Sequence, residues 1–199
     1  MSESVPQIYL VRHGATDWSV AGKHTGRTDL SLNGRGREQA QALRGLLQAV
    51  KVDAVLTSPL ARARETAELS GFAGRVEVDA DLAEWDYGAF EGLRTSEIRA
   101  KQPDWDLFED GCPRGETGDD VAVRADRLIA RVRALKGNAM LFAHRDILRV
   151  IATRWVGWRA IEARRLYLEA ASLSVLSYDH GSLAEPIIRV LNDYDGARG

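Results

Sequence analysis

The chain has 199 residues, 45% hydrophobic and 28% charged, which is ordinary globular usage and excludes disordered and fibrous classes. A chain this long buries about 70% of its extended surface, so one domain is expected without a disulfide or metal staple, and the single Cys112, fit for a reducing cytosol, could supply neither. Lys+Arg 27 against Asp+Glu 29 leaves a net charge of −2, so no basic field attracts nucleic acid or an anionic membrane, and any anion must be held by a local site.

The start, MSESVPQIYLVRHG, lacks a basic n-region and reaches Arg12 after a few apolar residues, too short for a signal segment. No run approaches the ~18 apolar residues of a membrane span, and a cytoplasmic protein is expected. Residues 7 to 11 (QIYLV) predict a buried strand, followed by a polar, Gly-rich loop over 12 to 33. Ala40, Leu43, Leu46 and Leu47 at helical spacing after Asn33, a suitable N-cap, predict a helix over 34 to 50. A strand at 52 to 57 and a helix at 60 to 70 come next, then a strand at 75 to 78. Residues 79 to 117 mix acids, aromatics and Gly, with only a short helix near 94 to 101; loops this long in a compact domain are usually functional. Helices at 118 to 135 and 146 to 156 bracket an apolar strand at 139 to 143, and runs at 173 to 178 and 186 to 191 read as a closing hairpin. Alternating strands and helices predict a three-layer α/β fold: a mostly parallel sheet, helices on both faces and an antiparallel edge.

In such sheets ligands bind outside the carboxyl ends of the strands. Arg12, His13 and Gly14 follow the first strand, Arg62 lies at the start of the helix after the second, Glu84 follows the third, and His144 and Arg145 follow the apolar strand. Each residue alone has a bland reading as a structural histidine, a surface ion pair or a solvated acid. Converging on one edge, they imply an anionic ligand, because two cations ~4 Å apart repel by about 4 kcal/mol at an effective dielectric of ~20.

LVRHGATDWS at 10 to 19 closely resembles the signature of the histidine phosphatase superfamily, the phosphoglycerate-mutase-like enzymes. HTGRTDLSLNGRGREQA at 24 to 40, SPLARARETA at 58 to 67, LAEWDYGAFEG at 82 to 92, GCPRGET at 111 to 117 and FAHRDILR at 142 to 149 agree with it in order and spacing. Within it, EWDYGAFEG followed by DGCPRGET looks most like bacterial acid phosphatases and the fungal sedoheptulose bisphosphatase group. The resemblance implies one domain over 1 to 199 with a lid-like insertion at about 79 to 117, acting on a small phosphorylated metabolite through a phosphohistidine. It implies His13 as nucleophile, Arg12, Arg62 and His144 as holders of the phosphoryl oxygens, and Glu84 as proton donor, ahead of its neighbours Asp86 and Glu91. Gly14 would let the backbone approach closely, and Ser19, Thr25 and Gly26 would line the substrate pocket. No metal and no cofactor are needed on this reading.

Arg145-Asp146 departs from the family pattern, which usually places Gly after the second His. Arg145 either contacts substrate directly or pairs with Asp146 or a loop acid. Cofactor-dependent mutases of the superfamily that the chain resembles carry a longer, more basic insertion after the catalytic Glu, whereas KQPDWDLFEDG at 101 to 111 is short and acidic; the resemblance thus implies hydrolysis over mutase chemistry, and the acidic stretch disfavours a highly charged bisphosphate unless Arg94, Arg99, Arg114 or Arg145 turns inward. A cofactor-dependent phosphoglycerate mutase is the runner-up, and a non-catalytic phospho-ligand binding protein is the alternative from another class. His24 is expected on the pocket rim, His180 as inert, Cys112 as structural, and Trp85, Trp105, Trp155 and Trp158 as packing residues, with Trp85 or Trp105 lining the substrate site as the alternative. The Arg-rich stretch at 124 to 133 is expected as a solvated helix face. An edge strand or the Trp155 to Trp158 region could support an oligomer.

Overall fold

The computed structural model describes residues 5–194. Six strands form one sheet: β1 (Ile8–Arg12), β2 (Ala54–Thr57), β3 (Glu77–Val78), β4 (Ala139–Ala143), β5 (Leu173–Tyr178) and β6 (Pro186–Asp193), in the order β3-β2-β4-β1-β5-β6. The first four run parallel, with Ile8 opposite Ala139 and Ala54 opposite the same Ala139, while β5 and β6 add the expected antiparallel edge. All five residues of β4 are buried, as a central strand covered on both faces requires.

Period-2 alternation divides the core into two layers. Leu141 of β4, with Ile8 and Leu10, faces one cluster, and Met140 and Phe142, with Val11, face the other. Helices α1 (Asp17–Val20), α2 (Gly34–Leu47) and α3 (Ala61–Ala67) precede β3; α4 (Thr95–Arg99), α5 (Leu107–Asp110) and α6 (Gly118–Ala134) precede β4; α7 (Arg145–Trp155) follows it. α2 and α3 cover the Phe142 face through Leu43, Leu47 and Ala67. α6 and α7 cover the Leu141 face through Val121, Leu128, Ile147 and Ile151. Asn33 caps α2 as expected, its Oδ1 accepting from the Gly36 amide at 2.9 Å.

Departures are local. The strand expected at 75 to 78 shrinks to two residues, and α3 passes at Ala67 into a wider turn, Glu68–Phe72, that Gly71 closes at φ 101. The 79 to 117 stretch holds α5 besides the expected short helix, and the 12 to 33 loop holds α1. Two readings of single residues are corrected. Trp158 is 52% exposed rather than packed, whereas Arg124, read as solvated, is 7% exposed. Gly14 is needed for close approach, but to α2: a Cβ there would lie 2.3 Å from the Gly36 carbonyl oxygen, and one on Gly36 would lie 2.0 Å from that of Ala15. Among the described residues, no helix is long and apolar enough to cross a membrane.

Candidate active site

The carboxyl ends of the parallel strands deliver the site. β1 ends at Arg12 and hands on to His13, whose amide bonds the Ala143 carbonyl of β4 at 3.0 Å; β4 in turn hands on to His144, the N-cap of α7. The two imidazoles lie with ring centroids 5.1 Å apart and planes at 60°.

Their partners fix the tautomers. His13 Nδ1 lies 2.7 Å from the Gly14 carbonyl oxygen, which can only accept, so Nδ1 carries the proton and Nε2 keeps its lone pair. Arg62 Nε can only donate, and it lies 3.0 Å from His144 Nδ1, so the His144 proton sits on Nε2 and is donated to Ser58 Oγ at 2.7 Å. Burial, reinforced by the Arg62 cation, holds both imidazoles well below the usual histidine range, so both are neutral at neutral pH.

Glu84 is fully engaged by backbone. Its Oε1 accepts from Trp85 N at 2.9 Å and Ile147 N at 3.0 Å, and its Oε2 accepts from Asp146 N at 3.1 Å, so the carboxyl sits on the N-terminus of α7. Burial and the neighbouring Asp146 carboxylate raise its pKa above the ordinary value, against the opposing pull of those amides. Asp146 itself stays ionised: burial disfavours its charge, but Arg145, Arg149 and the Tyr87 hydroxyl outweigh that and lower its pKa. Arg149 Nη1 lies 2.8 Å from Asp146 Oδ1, and Tyr87 donates to Oδ2 at 2.6 Å.

The segment carrying Glu84 is clamped from behind. Arg124 donates through Nε and Nη2 to the two Glu116 carboxylate oxygens at 2.8 and 3.1 Å, and through Nη1 to the carbonyls of Asp81 and Ala83 at 2.9 and 2.7 Å. Glu116 Oε2 also accepts from the Asp86 amide at 2.8 Å. Bonds therefore hold the chain on both sides of Glu84. The signal for Arg124 was available in sequence: it lies three residues after Val121 and four before Leu128, on the buried stripe of α6.

A cavity of about 100 Å³ is lined by Arg12, His13, Ser19, Thr25, Glu84 and Arg145 from the expected set, and by Gly22, Lys23, His24, Tyr87 and Thr95. Of these, the sequence placed only His24 near the pocket; Tyr87 lies within LAEWDYGAFEG but was given no role, and Lys23 and Thr95 fall outside the motifs. Arg12 is 9% exposed, donates to the Leu168 carbonyl, and has a buried Nε with no acceptor. Burial, then the Arg145 cation, lowers its pKa to about 10, so it remains charged at neutral pH. Arg145 pairs with Asp146 at 3.1 Å, the second alternative raised for it, and its side chain also lines the cavity.

Three expected residues stand behind the cavity wall instead of on it. Arg62, wholly buried, donates to the carbonyls of Thr28, Thr25 and Gly26 as well as to His144. Gly26 gives its amide to Glu91 and its carbonyl to Arg62, and a Cβ there would lie 2.3 Å from the Trp85 carbonyl oxygen. His144 is closed off by Ser58 and Arg62. Cys112 is buried with its thiol pushed up to about 12 by burial, and His180 is exposed, hydrogen bonded to Glu185.

A neutral imidazole with a free ring nitrogen, a carboxyl of raised pKa and two guanidiniums in one small cavity suit an anionic group and the transfer of a proton. The chain matches the family model of the histidine phosphatase superfamily (branch 1) over residues 8–193, and it belongs to that superfamily. It is 39% identical over 179 residues to an acid phosphatase of Mycobacterium tuberculosis, covering 88% of each chain. It is 31% identical to a sedoheptulose 1,7-bisphosphatase of Saccharomyces cerevisiae over 98% of this chain and 95% of the other. Among solved structures, an open reading frame product of M. tuberculosis superposes with a TM-score of 0.89 at 36% identity, over 95% of this chain and 98% of that one. A mycobacterial glucosyl-3-phosphoglycerate phosphatase superposes with a TM-score of 0.83 at 26% identity, over 95% and 99%.

Proposed function

We propose that this chain is a metal-independent phosphomonoesterase that hydrolyses a small phosphorylated metabolite through a phosphohistidine. Membership of the superfamily, with phosphatase-named relatives, makes it an enzyme of the histidine phosphatase class. The observation that supports the mechanism best is the 2.7 Å bond from His13 Nδ1 to the Gly14 carbonyl, which leaves Nε2 unprotonated as a nucleophile requires.

In the first step, the Nε2 lone pair attacks phosphorus in line, a P–N bond forms and the ester P–O bond breaks. Glu84, whose raised pKa favours the protonated carboxyl, gives its proton to the departing alkoxide. In the second step Glu84 takes a proton from water, the water oxygen attacks phosphorus, and the P–N bond breaks to return neutral His13. Arg12, whose side chain lines the cavity beside His13, meets the non-bridging oxygens. Arg62 acts from the second rank, holding the His144 ring and adding its field. Residues 79 to 117 form a lid-like insertion over the cavity on this reading, and the protein works in the cytoplasm.

Protein quenched in alkaline denaturant after brief exposure to a labelled phosphomonoester should carry phosphate that acid then releases, absent from His13→Ala, and turnover should survive chelator. A His13→Ala protein of undiminished activity sinks the mechanism. A 30% identical relative, a probable phosphoglycerate mutase of Proteus mirabilis, supports one rival reading. A panel of sugar phosphates and 3-phosphoglycerate, with and without the bisphosphoglycerate primer, separates phosphatase from mutase.

A further inference from the structure

We propose that the substrate carries a second anionic group, phosphate or carboxylate, and that this group is held by Arg35 and Arg145 in an annex of the catalytic cavity. The inference rests on the phosphatase reading above and names the substrate class for it.

The catalytic cavity, at about 100 Å³, is small beside the roughly 300–1,000 Å³ of small-molecule sites, so a substrate larger than its phosphoryl group extends beyond it. A second cavity of about 260 Å³ adjoins it, and the two share Arg12, Ser19 and Arg145. The annex therefore lies beside the catalytic cavity, with these three side chains common to both. Its charged lining is three guanidiniums, Arg12, Arg35 and Arg145, against one carboxylate, Glu169.

Several arginines elsewhere on this surface are matched by acids, among them Arg127 with Asp81 at 2.6 Å, Arg154 with Asp126 at 2.9 Å and Arg165 with Glu162 at 2.7 Å, and several are not; what sets Arg35 apart is its place in the annex lining. Arg35 is in no ion pair or hydrogen bond among the described residues, and it stands on the first turn of α2, which carries no acidic side chain. Arg12 lines both cavities and has a buried Nε without an acceptor. Of the four arginines that could answer the acidic lid, only Arg145 lines either cavity. Arg94 and Arg99 donate instead to the carbonyls of Ala21 and Trp105. Planar guanidiniums suit the paired oxygens of carboxylate and phosphate alike.

The test compares butyl phosphate with 4-phosphooxybutanoate and butane-1,4-diyl bisphosphate, which differ only in the distal group. The wild type should turn over at least one of the two doubly anionic esters with the higher kcat/KM, and which one leads distinguishes carboxylate from phosphate. Arg35→Gln should lower the ratio of doubly to singly anionic kcat/KM about tenfold, while Arg37→Gln, on the same helix but outside both cavities, should leave the ratio alone. A wild-type ratio at or below one for both esters, or an unchanged ratio in Arg35→Gln, overturns the annex. Failure to turn over all three compounds refutes the phosphatase reading, and the annex is then judged by calorimetry on His13→Ala protein. There the preferred doubly anionic ester should bind about tenfold tighter than butyl phosphate, and lose that margin when Arg35→Gln is added. Equal affinities overturn the annex on their own.

Discussion

Replacing Arg124 by Met tests whether the clamp behind Glu84 is structural ballast or part of the catalytic apparatus. The substitution keeps an apolar stem in the α6 stripe and removes the guanidinium, whose side chain is 9% exposed against 18% for Glu116. Breaking a buried ion pair by deleting one partner costs about 3–5 kcal/mol, because the other charge is left uncompensated. Glu116 retains the Asp86 amide at 2.8 Å and some access to water, which places the loss near the lower end, about 3–4 kcal/mol. For a chain of this length each kcal/mol lowers Tm by about 2–4 °C, so a fall of roughly 6–16 °C is expected by calorimetry at pH 7. Adding Glu116→Gln should cost little more, since the stranded charge is then gone. The Arg124 bonds to Asp81 and Ala83 predict a second effect, loosening of Glu84. Turnover of an alkyl phosphate, whose leaving group needs a proton, should therefore fall several-fold more than turnover of p-nitrophenyl phosphate. A Tm loss below about 3 °C refutes the energetic argument, and proportional loss on both substrates refutes the link to Glu84.

Gly14→Ala sets a Cβ 2.3 Å from a backbone oxygen that cannot swing aside, so at least the ~1–3 kcal/mol of an overpacked core should be lost in denaturant titration; a cost under about 0.5 kcal/mol would contradict the close approach of the chain to α2. Arg145→Gly should raise KM more than it lowers kcat, with the fold retained because Asp146 keeps Arg149 and Tyr87; an unchanged KM for every substrate removes the direct contact. His13, His24 and His144 all have pKa values lowered by burial, so their stabilising contribution is complete above the unfolded value near 6.5 and is lost as pH falls below it. At about 1.4 kcal/mol per pH unit for each histidine that stays neutral in the fold, Tm should fall steadily from pH 6.5 toward 5, and a flat profile there would contradict neutral, buried rings.

What the sequence makes legible here is what repeats along the chain or follows a strand directly. The wholly apolar AMLFA, the Asn33 cap and the terminal hairpin are local patterns, and each appears where its pattern places it. Arg12, His13, His144 and Glu84 could be assigned to one edge because parallel strands all end on the same side, which is topology and requires no contact information. Contacts between distant segments leave no such trace. Whether Arg62 faces the ligand or the protein depends on three carbonyls in the 25 to 28 loop, and nothing in SPLARARETA announces them. α5 is a single turn, too short to show a period, and the annex exists only because the chain at 167 to 170 folds back beside α2. Charge is the sharpest case. A net charge of −2 reads as a featureless surface, yet acids pair with Arg127, Arg131 and Arg154 away from the strand ends, while Arg12 and Arg35 line the annex with no acid among the described residues bonded to either. The field an anionic substrate meets is thus created by where the acids are missing, a property of the folded surface that composition averages away.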